Sequence, residues 1–428
     1  MKLAILDPGH FHAALVQKKM YAGIEDTVHV YAREGPDLDD YLRKIEAFNA
    51  RAQDPTRWRT QLHTGKDFLE RLTTDKQGDV VVISGNNRHK TEYLSCAVAA
   101  GLHTLADKPM AIDTAGFEAL RNAFGVAQAN GVLLYDIMTE RHEITTMLQK
   151  EFSTIASMFG GLVTGSEDNP AVTKESVHHF AKMISGAPIK RPAWFFDTAQ
   201  QGEGLVDITT HLVDLVQWEC FPDQIIDYGK DIGVLSARRW PTVISPAQFQ
   251  AVTQLQDFPV WLRKDVQPDG NLHTYANGEI NYTIRGVHAK VSVLWNFEAP
   301  AGSGDTHYSI MRGANSNLVI RQGKEQAYQP VLYIEPLVAT DVAAFATTLE
   351  RALPQVQAKY PSIGIKRSGN GWEVIVPASY HVGHEAHFGQ VTEQFLGYVA
   401  KGALPEWEVP NMLAKYYTTT AALALARR

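Results

Sequence analysis

Only two cysteines, Cys96 and Cys220, occur in 428 residues, with no CxxC pair and no zinc-ligand spacing. That scarcity excludes a disulfide framework and fits a reducing compartment, and no metal centre is expected. Long apolar runs are missing too: no stretch approaches about 18 apolar residues, so no membrane span is expected. The opening Met1-Lys2-Leu3-Ala4-Ile5-Leu6-Asp7-Pro8 breaks off too early for a signal-peptide core, which points to the cytoplasm. Basic runs are also absent: 40 Lys and Arg face 47 Asp and Glu, a net charge of −7, which argues against a nucleic-acid partner. Internal repeats and low-complexity linkers do not occur. The chain is otherwise of ordinary globular composition, 45% hydrophobic and 20% charged. At about 150 residues per domain its length suits two domains, large enough to fold without a covalent staple.

The first part alternates short strands and helices. Leu3-Ala4-Ile5-Leu6 is a buried-strand run ending at Asp7-Pro8-Gly9, and Phe11, Ala14, Leu15 and Met20 follow at roughly helical spacing. Val28 to Ala32 reads as a strand, Leu38 to Asn49 as a helix, and a further helix lies near Asp67-Phe68-Leu69. Asp79-Val80-Val81-Val82-Ile83-Ser84 is β-branched and continuous, the pattern of a strand buried on both faces. A helix from Lys90 to Ala100 and strands at Leu102–Leu105 and Gly131–Tyr135 complete the series. Such alternation predicts right-handed βαβ units and a parallel Rossmann-type sheet over residues 1–145, with ligands beyond the carboxyl ends of its strands.

The phosphate-binding fingerprint GxGxxG is reduced. In Asp7-Pro8-Gly9-His10-Phe11-His12 only the middle glycine is kept, the one that lets backbone approach a pyrophosphate. At the tip of the second strand stand Arg33 and Glu34; an acid suits the ribose of NAD and an arginine the 2′-phosphate of NADP, so both stay open.

Two later stretches are more specific. Ser84-Gly85-Asn86-Asn87-Arg88-His89 follows one strand, and Ala106-Asp107-Lys108-Pro109 follows the next. Downstream, Gly202-Glu203-Gly204-Leu205-Val206-Asp207-Ile208-Thr209-Thr210-His211 leads from glycines into Asp-x-x-x-His. Together these resemble the Gfo/Idh/MocA family of nicotinamide-dependent sugar and inositol dehydrogenases, with Asp107 in place of the usual glutamate and Glu203 interrupting the usual glycine run. The stretch from His384 to Tyr416 resembles the end of a branch with its own C-terminal region. The resemblance implies hydride transfer between a nicotinamide, NAD before NADP, and a secondary hydroxyl of a sugar, glycoside or cyclitol, carbon 3 favoured. It implies Lys108, His211 and Asp207 as the catalytic group. Gly9, His10, Phe11, His12, Arg33, Glu34, Asn86, Asn87, His89, Asp107 and Lys108 would hold the cofactor. Lys108, Arg141, His142, Trp194, Asp207 and His211 would face the substrate. The alternatives are a redox-neutral glycoside hydrolase or epimerase with retained cofactor, and a non-catalytic sugar or dinucleotide sensor.

Elementary chemistry supports these roles. Asp207, His211, Asp214 and Trp218 fall on one side of a helix, and Ile208, Leu212, Leu215 and Val216 form its apolar stripe. A histidine flanked by carboxylates suits proton transfer, with Asp207 or Asp214 orienting the ring. Lys108 at a strand tip can stabilise a developing alkoxide. Glu140, Arg141 and His142 are divided between substrate contact and interdomain salt bridges, and Trp194, in a short strand, between a pyranose platform and core. His381, His384, Glu385 and His387 are divided among a metal site, substrate contact and a polar helix start.

From about residue 146 to 428 the pattern changes to longer strands. Val287, Ala289, Val291, Val293, Trp295 and Phe297 alternate with more polar neighbours, and Asn277-Gly278 and Arg285-Gly286 read as turns. An α+β domain is expected, with a large, mainly antiparallel open sheet, helices on one face, and a homo-oligomer formed through the other. One closing helix turns Phe388, Val391, Phe395, Tyr398 and Val399 inward, and a second opens at Pro410.

Overall fold

The computed structural model describes residues 1–184, 187–337 and 341–428. Six parallel strands form the first sheet: β1 (Leu3–Leu6), β2 (Thr27–Ala32), β3 (Arg59–Thr64), β4 (Val80–Ile83), β5 (His103–Asp107) and β6 (Leu134–Ile137), in the order β3-β2-β1-β4-β5-β6. The crossovers carry α1 (His12–Val16), α2 (Pro36–Ala50), α3 (Phe68–Asp75), α4 (Lys90–Ala99) and α5 (Thr114–Ala129). Every residue of β1 and β4 is buried, which explains their unbroken apolar sequence. The strand order reverses between β1 and β4, so their carboxyl ends open a crevice of the dinucleotide-binding kind.

Two expectations for this half need correction. β3 was not foreseen, because Arg59, Thr60, Gln61 and Leu62 of this edge strand are exposed and carry no buried pattern. The helix expected from Phe11 to Met20 stops after five residues at Val16.

A short helical turn (Thr139–His142), α6 (Ile144–Ser153) and α7 (Ala156–Phe159) lead to the second sheet. That sheet contains β7 (Val172–Ala181), followed after the small antiparallel pair β8 (Met183–Ile184) and β9 (Ala187–Pro188) by β10 (Ile232–Ile244), β11 (Leu272–Ile284), β12 (Val287–Glu298), β13 (Thr306–Arg312), β14 (Ser316–Gln322), β15 (Val331–Pro336), β16 (Gly364–Ser368) and β17 (Gly371–Ile375). Nine strands pair in the order β10-β11-β12-β7-β13-β14-β15-β17-β16, and only β12 with β7 is parallel. Ala289, Val291, Val293 and Trp295 of β12 are buried while His288, Lys290, Ser292 and Leu294 between them are half-exposed, as the alternation requires.

Arg285 and Gly286 both have positive φ, the signature of the hairpin turn joining β11 to β12. Asn277-Gly278 is no turn but lies inside β11. Asn277 bonds the Trp240 carbonyl and the Trp295 amide, and a Cβ on Gly278 would stand 2.5 Å from Leu205. The pair is there for tertiary contacts.

The remaining helices are α8 (Thr198–Gln201), α9 (Thr209–Cys220), α10 (Pro246–Thr253), α11 (Val342–Gln357), α12 (His384–Lys401) and α13 (Glu408–Ala426). Phe388, Val391 and Phe395 of α12 and Met412 and Tyr416 of α13 join the core of the parallel sheet. α12 packs on α1 and β6, and α13 runs from α5 across α9 to β10, tying the two sheets together. α13 starts at Glu408, which puts Pro410 inside its first turn rather than at its start. Among the described residues no helix is long and apolar enough to cross a membrane.

Candidate active site at the strand tips

β5 ends in Asp107, and Lys108 follows at its carboxyl end. The Lys108 Nζ donates to Asp207 Oδ1 at 2.6 Å, joining the parallel sheet to the loop before α9, and both side chains are buried. Burial alone would push the Asp207 carboxyl up; the Lys108 ammonium overrides it and holds the group below the usual range. Asp207 itself stands ahead of α9, which begins at Thr209, so it is not on the helix face shared by His211 and Asp214. The loop is drawn tight against the second sheet: a Cβ on Gly204 would stand 2.0 Å from the Ala276 carbonyl oxygen. Glu203, which breaks the glycine run, is buried and bonded by Arg239 and Arg427.

His211 lies one turn into the chain after Asp207, with its Nδ1 buried and without a hydrogen-bond partner. Burial, then the Lys108 ammonium, push its imidazole down to about 3, so it is a neutral base at physiological pH. Neither expected carboxylate orients it. Asp214 is gripped by Arg141 (2.6 and 2.7 Å) and Lys415 (2.8 Å), and Asp207 by Lys108. α13 and the Thr139–His142 turn pack on α9, which buries Asp214 and leaves His211 and Trp218 half-buried.

Arg141 fills the structural one of its two expected roles. It also bonds both oxygens of Glu408 at 3.0 and 3.1 Å, and its guanidinium lies over the Trp407 ring. Four of its five N–H donors go to the carboxylates of Asp214 and Glu408, which places it in a buried ion-pair network rather than in the open part of the site. His142 pairs with Gln394 of α12. Trp194 belongs to a helical turn, Ala193–Phe196, and not to a strand. Its Nε1 donates to Asp37 Oδ2 at 2.9 Å, and its ring lies 3.5 Å from where a Cβ on Gly9 would be, on the dinucleotide side of the crevice.

The residues expected around a dinucleotide gather at the ends of β1, β2 and β4. The Gly9 and His10 amides are both spent on the Ser84 carbonyl, which leaves those of Phe11 and His12, at the start of α1, for an anion. Arg33 bonds Asp7 (2.6 Å) and Tyr93 (2.9 Å) and is half-exposed, while the exposed Glu34 accepts from Thr64. Asn86 donates to Gln200 and Asn87 to the Gln201 carbonyl, clasping α8 to the parallel sheet. His89 lies beside Tyr93, with 5.8 Å between ring centroids.

Asp107 is a buried hub that takes bonds from Lys90 and from Ser84 Oγ (2.8 Å), with His12 Nδ1 at 3.1 Å and His10 Nδ1 at 3.5 Å. His10, His12 and Asp107 are close enough to share a cation. The Lys90 ammonium already neutralises that carboxylate, so the trio reads as a hydrogen-bonded support under Lys108.

Sequence reasoning named Glu140 and His384 separately without pairing them, and passed over Thr139, Lys182 and Asp305. His384 Nε2 lies 3.4 Å from Glu140 Oε1 and 3.3 Å from Thr139 Oγ1, while His179 and Lys182 each bond Asp305 at 2.8 Å. A roomier groove of ≈ 600 Å³, lined by Asn317, Arg321, Tyr333 and Glu335, shares no residue with this site.

Residues 148–427 match the family described as "Putative oxidoreductase C terminal domain". A crystal structure of a "putative oxidoreductase" from Parabacteroides merdae is 54% identical over 100% of this chain and 97% of that one, with a TM-score of 0.97. Levoglucosan dehydrogenase, in complex with NADH and L-sorbose, shares 12% identity over 100% of this chain and 97% of that one, with a TM-score of 0.64. KijD10, a 3-ketoreductase from Actinomadura kijaniata in complex with NADP, shares 14% over 99% and 97%, with a TM-score of 0.58. Among curated proteins none matches the chain. Fold and relatives together define an oxidoreductase of the Gfo/Idh/MocA type. Within that class the chain belongs to the family named for its putative oxidoreductase C-terminal domain.

Proposed function

We propose that this enzyme transfers hydride between a nicotinamide dinucleotide and a secondary hydroxyl of a sugar, glycoside or cyclitol, with carbon 3 of a pyranose favoured. The observation that carries the reading is the Lys108–Asp207 pair at the tip of β5, beside a neutral His211 with an open Nδ1. The crevice between β1 and β4 fits a dinucleotide, because Gly9 lacks the side chain that would fill it and the Phe11 and His12 amides are left for a phosphate. A bound oxidised nicotinamide supplies the hydride acceptor. Lys108 donates to the substrate oxygen and favours its developing negative charge, Asp207 fixes the ammonium, and His211 takes the hydroxyl proton. Similar folds that bind levoglucosan with NADH, or act as a 3-ketoreductase with NADP, agree with this choice.

A panel of methyl α- and β-glucopyranosides, a 1,6-anhydrosugar and myo-inositol, assayed for NAD and NADP reduction, tests it. NMR of the product then locates the ketone. Absence of reduction with every sugar would sink the reading.

A second reading, redox-neutral turnover with retained cofactor, is favoured by the Trp194–Asp37 bond spanning the crevice beside Gly9. It requires the purified protein to carry nicotinamide. The proposal also includes a domain boundary near residue 145, a cytoplasmic setting consistent with the free Cys96 and Cys220, and a homo-oligomer through the half-exposed face of β12. Light scattering checks the last of these.

A further inference from the structure

Oxidation of an alcohol releases one proton from the hydroxyl as the carbon gives up hydride, and on the reading above His211 receives it. The resulting imidazolium needs an anion. Asp207 and Asp214 are already bound to Lys108, Arg141 and Lys415. The Thr139–His142 turn, however, packs against both α9 and α12. Its Arg141 fork grips Asp214, one turn after His211, and so fixes the register of the turn on α9. The residue beside Arg141 is Glu140, which faces His384 of α12 at 3.4 Å and interacts electrostatically with His387 of the same helix, His211 of α9 and His307 of β13.

We propose that Glu140 is the counter-ion of the His211 imidazolium, held in place by His384 at the start of the C-terminal helix α12. The inference rests on His211 being the proton acceptor. His384 Nε2 stands 3.4 Å from Glu140 Oε1, and Thr139 Oγ1 supports the same nitrogen at 3.3 Å. The His384 side chain is 51% exposed and that of Glu140 33%, so the pair reaches solvent while the His211 Nδ1 is buried. Burial would push the Glu140 carboxyl up, yet His384, then His211 and His387, hold it well below the usual range, so it is an anion at neutral pH. Lys108 and His384 oppose charge on His211, and Glu140 and Asp214 favour it. With Asp214 neutralised by two cations, Glu140 is the anion left to act. The half-buried Glu143 also acts on Glu140 electrostatically. The C-terminal region thereby contributes to the chemistry as well as to packing.

Glu140 is a positioning residue on this view, and kcat against pH in the full chain tests it, with the panel sugar of highest kcat/KM. Glu140→Gln should melt near the parent temperature and bind cofactor equally well, while kcat falls about tenfold or more. Its acid limb should move to lower pH, because an imidazole deprived of its anion releases its proton more readily. Glu140→Asp should restore part of the rate, and added formate should rescue Glu140→Ala. Parent-like kcat and an unmoved acid limb in Glu140→Gln, with His211→Ala inactive, overturn the counter-ion role alone. A rate loss with no limb shift and no rescue overturns it as well, in favour of a structural role. Turnover surviving in His211→Ala instead brings down the assignment of the base beneath it.

Discussion

Two clusters of buried polar groups lie one helical turn apart on α9, around Asp214 and around His211, and they are finished to different degrees. Around Asp214, Tyr135 and Asp136 from β6, Arg141 from the following turn, and Glu408, Lys415 and Tyr416 from α13 bond one another at 2.6–3.1 Å. With carboxylates outnumbering cations, burial pushes the Glu408 carboxyl up. Asp136 Oδ1 is the atom left without a partner there. Around His211 the bonding capacity is open: His178 Nε2, His211 Nδ1 and His387 Nδ1 are all buried and without a hydrogen-bond partner. Buried polar atoms are rarely left unpaired, so a cluster of them marks where a polyhydroxylated ligand or water completes the structure. The first cluster holds the sheets together. The second is where the proposed chemistry would take place.

The sharpest break between the two comes from His211→Ala. Removing a positioned base costs about 100- to 10,000-fold in kcat, roughly 3 to 5 kcal/mol of transition-state stabilisation, while the melting temperature and cofactor affinity hold. Lys108→Ala should also slow the reaction, and the double variant should lose less than the sum, since both groups act on one oxygen. Single-turnover measurements decide this. Parent-like turnover would move the base to Asp207 or the α12 histidines.

Arg141→Met tests the other cluster. It leaves Glu408 and half of the Asp214 charge buried without their partner, a cost of about 3 to 5 kcal/mol in denaturant unfolding. Glu408→Gln added to it should recover part of that loss. An unchanged unfolding midpoint would mean the network contributes specificity rather than stability.

Acid separates the clusters in a third way. Burial, the largest cause in each case, lowers the imidazoles of His10, His12, His178, His211, His307 and His387, the last two to about 4. A lowered folded pKa means the unfolded chain takes up protons first. Stability should therefore fall as pH drops below about 6.5, by up to about 1.4 kcal/mol per pH unit for each histidine, until the folded groups titrate. Thermal melts between pH 7 and 5 measure the slope, and a bound sugar should reduce it. A flat profile across this range would refute neutral burial.

The smallest effect concerns cofactor choice. Glu34 at the tip of β2 should favour NAD, and Glu34→Ala should narrow the gap to NADP in calorimetric affinities. A parent preference for NADP would mean that Arg33, once released from Asp7, faces the 2′ position.

Local pattern alone determined the parallel sheet, since Leu3–Leu6 and Val80–Ile83 are buried on both faces and so are apolar at every position. It determined the β11–β12 hairpin, because Arg285-Gly286 takes a backbone that few residue pairs tolerate. The motif resemblance, carried by short local stretches, pointed to Lys108 and Asp207, which the fold brings together as an ion pair. Tertiary structure decided the rest. The exposed edge strand Arg59–Thr64 takes its form from pairing with β2 and not from its own composition. Asn277-Gly278 was bent into a turn by propensity and drawn into a strand by Leu205, Trp240 and Trp295. Asp214 read as a partner of His211 until Arg141 and Lys415 claimed it, and Glu140 meets His384 only because α12 returns to the parallel sheet. Periodicity reports which way a side chain faces. Which charge lies opposite depends on elements distant in the chain, and at buried positions that choice sets which groups are neutralised and which stay open for chemistry.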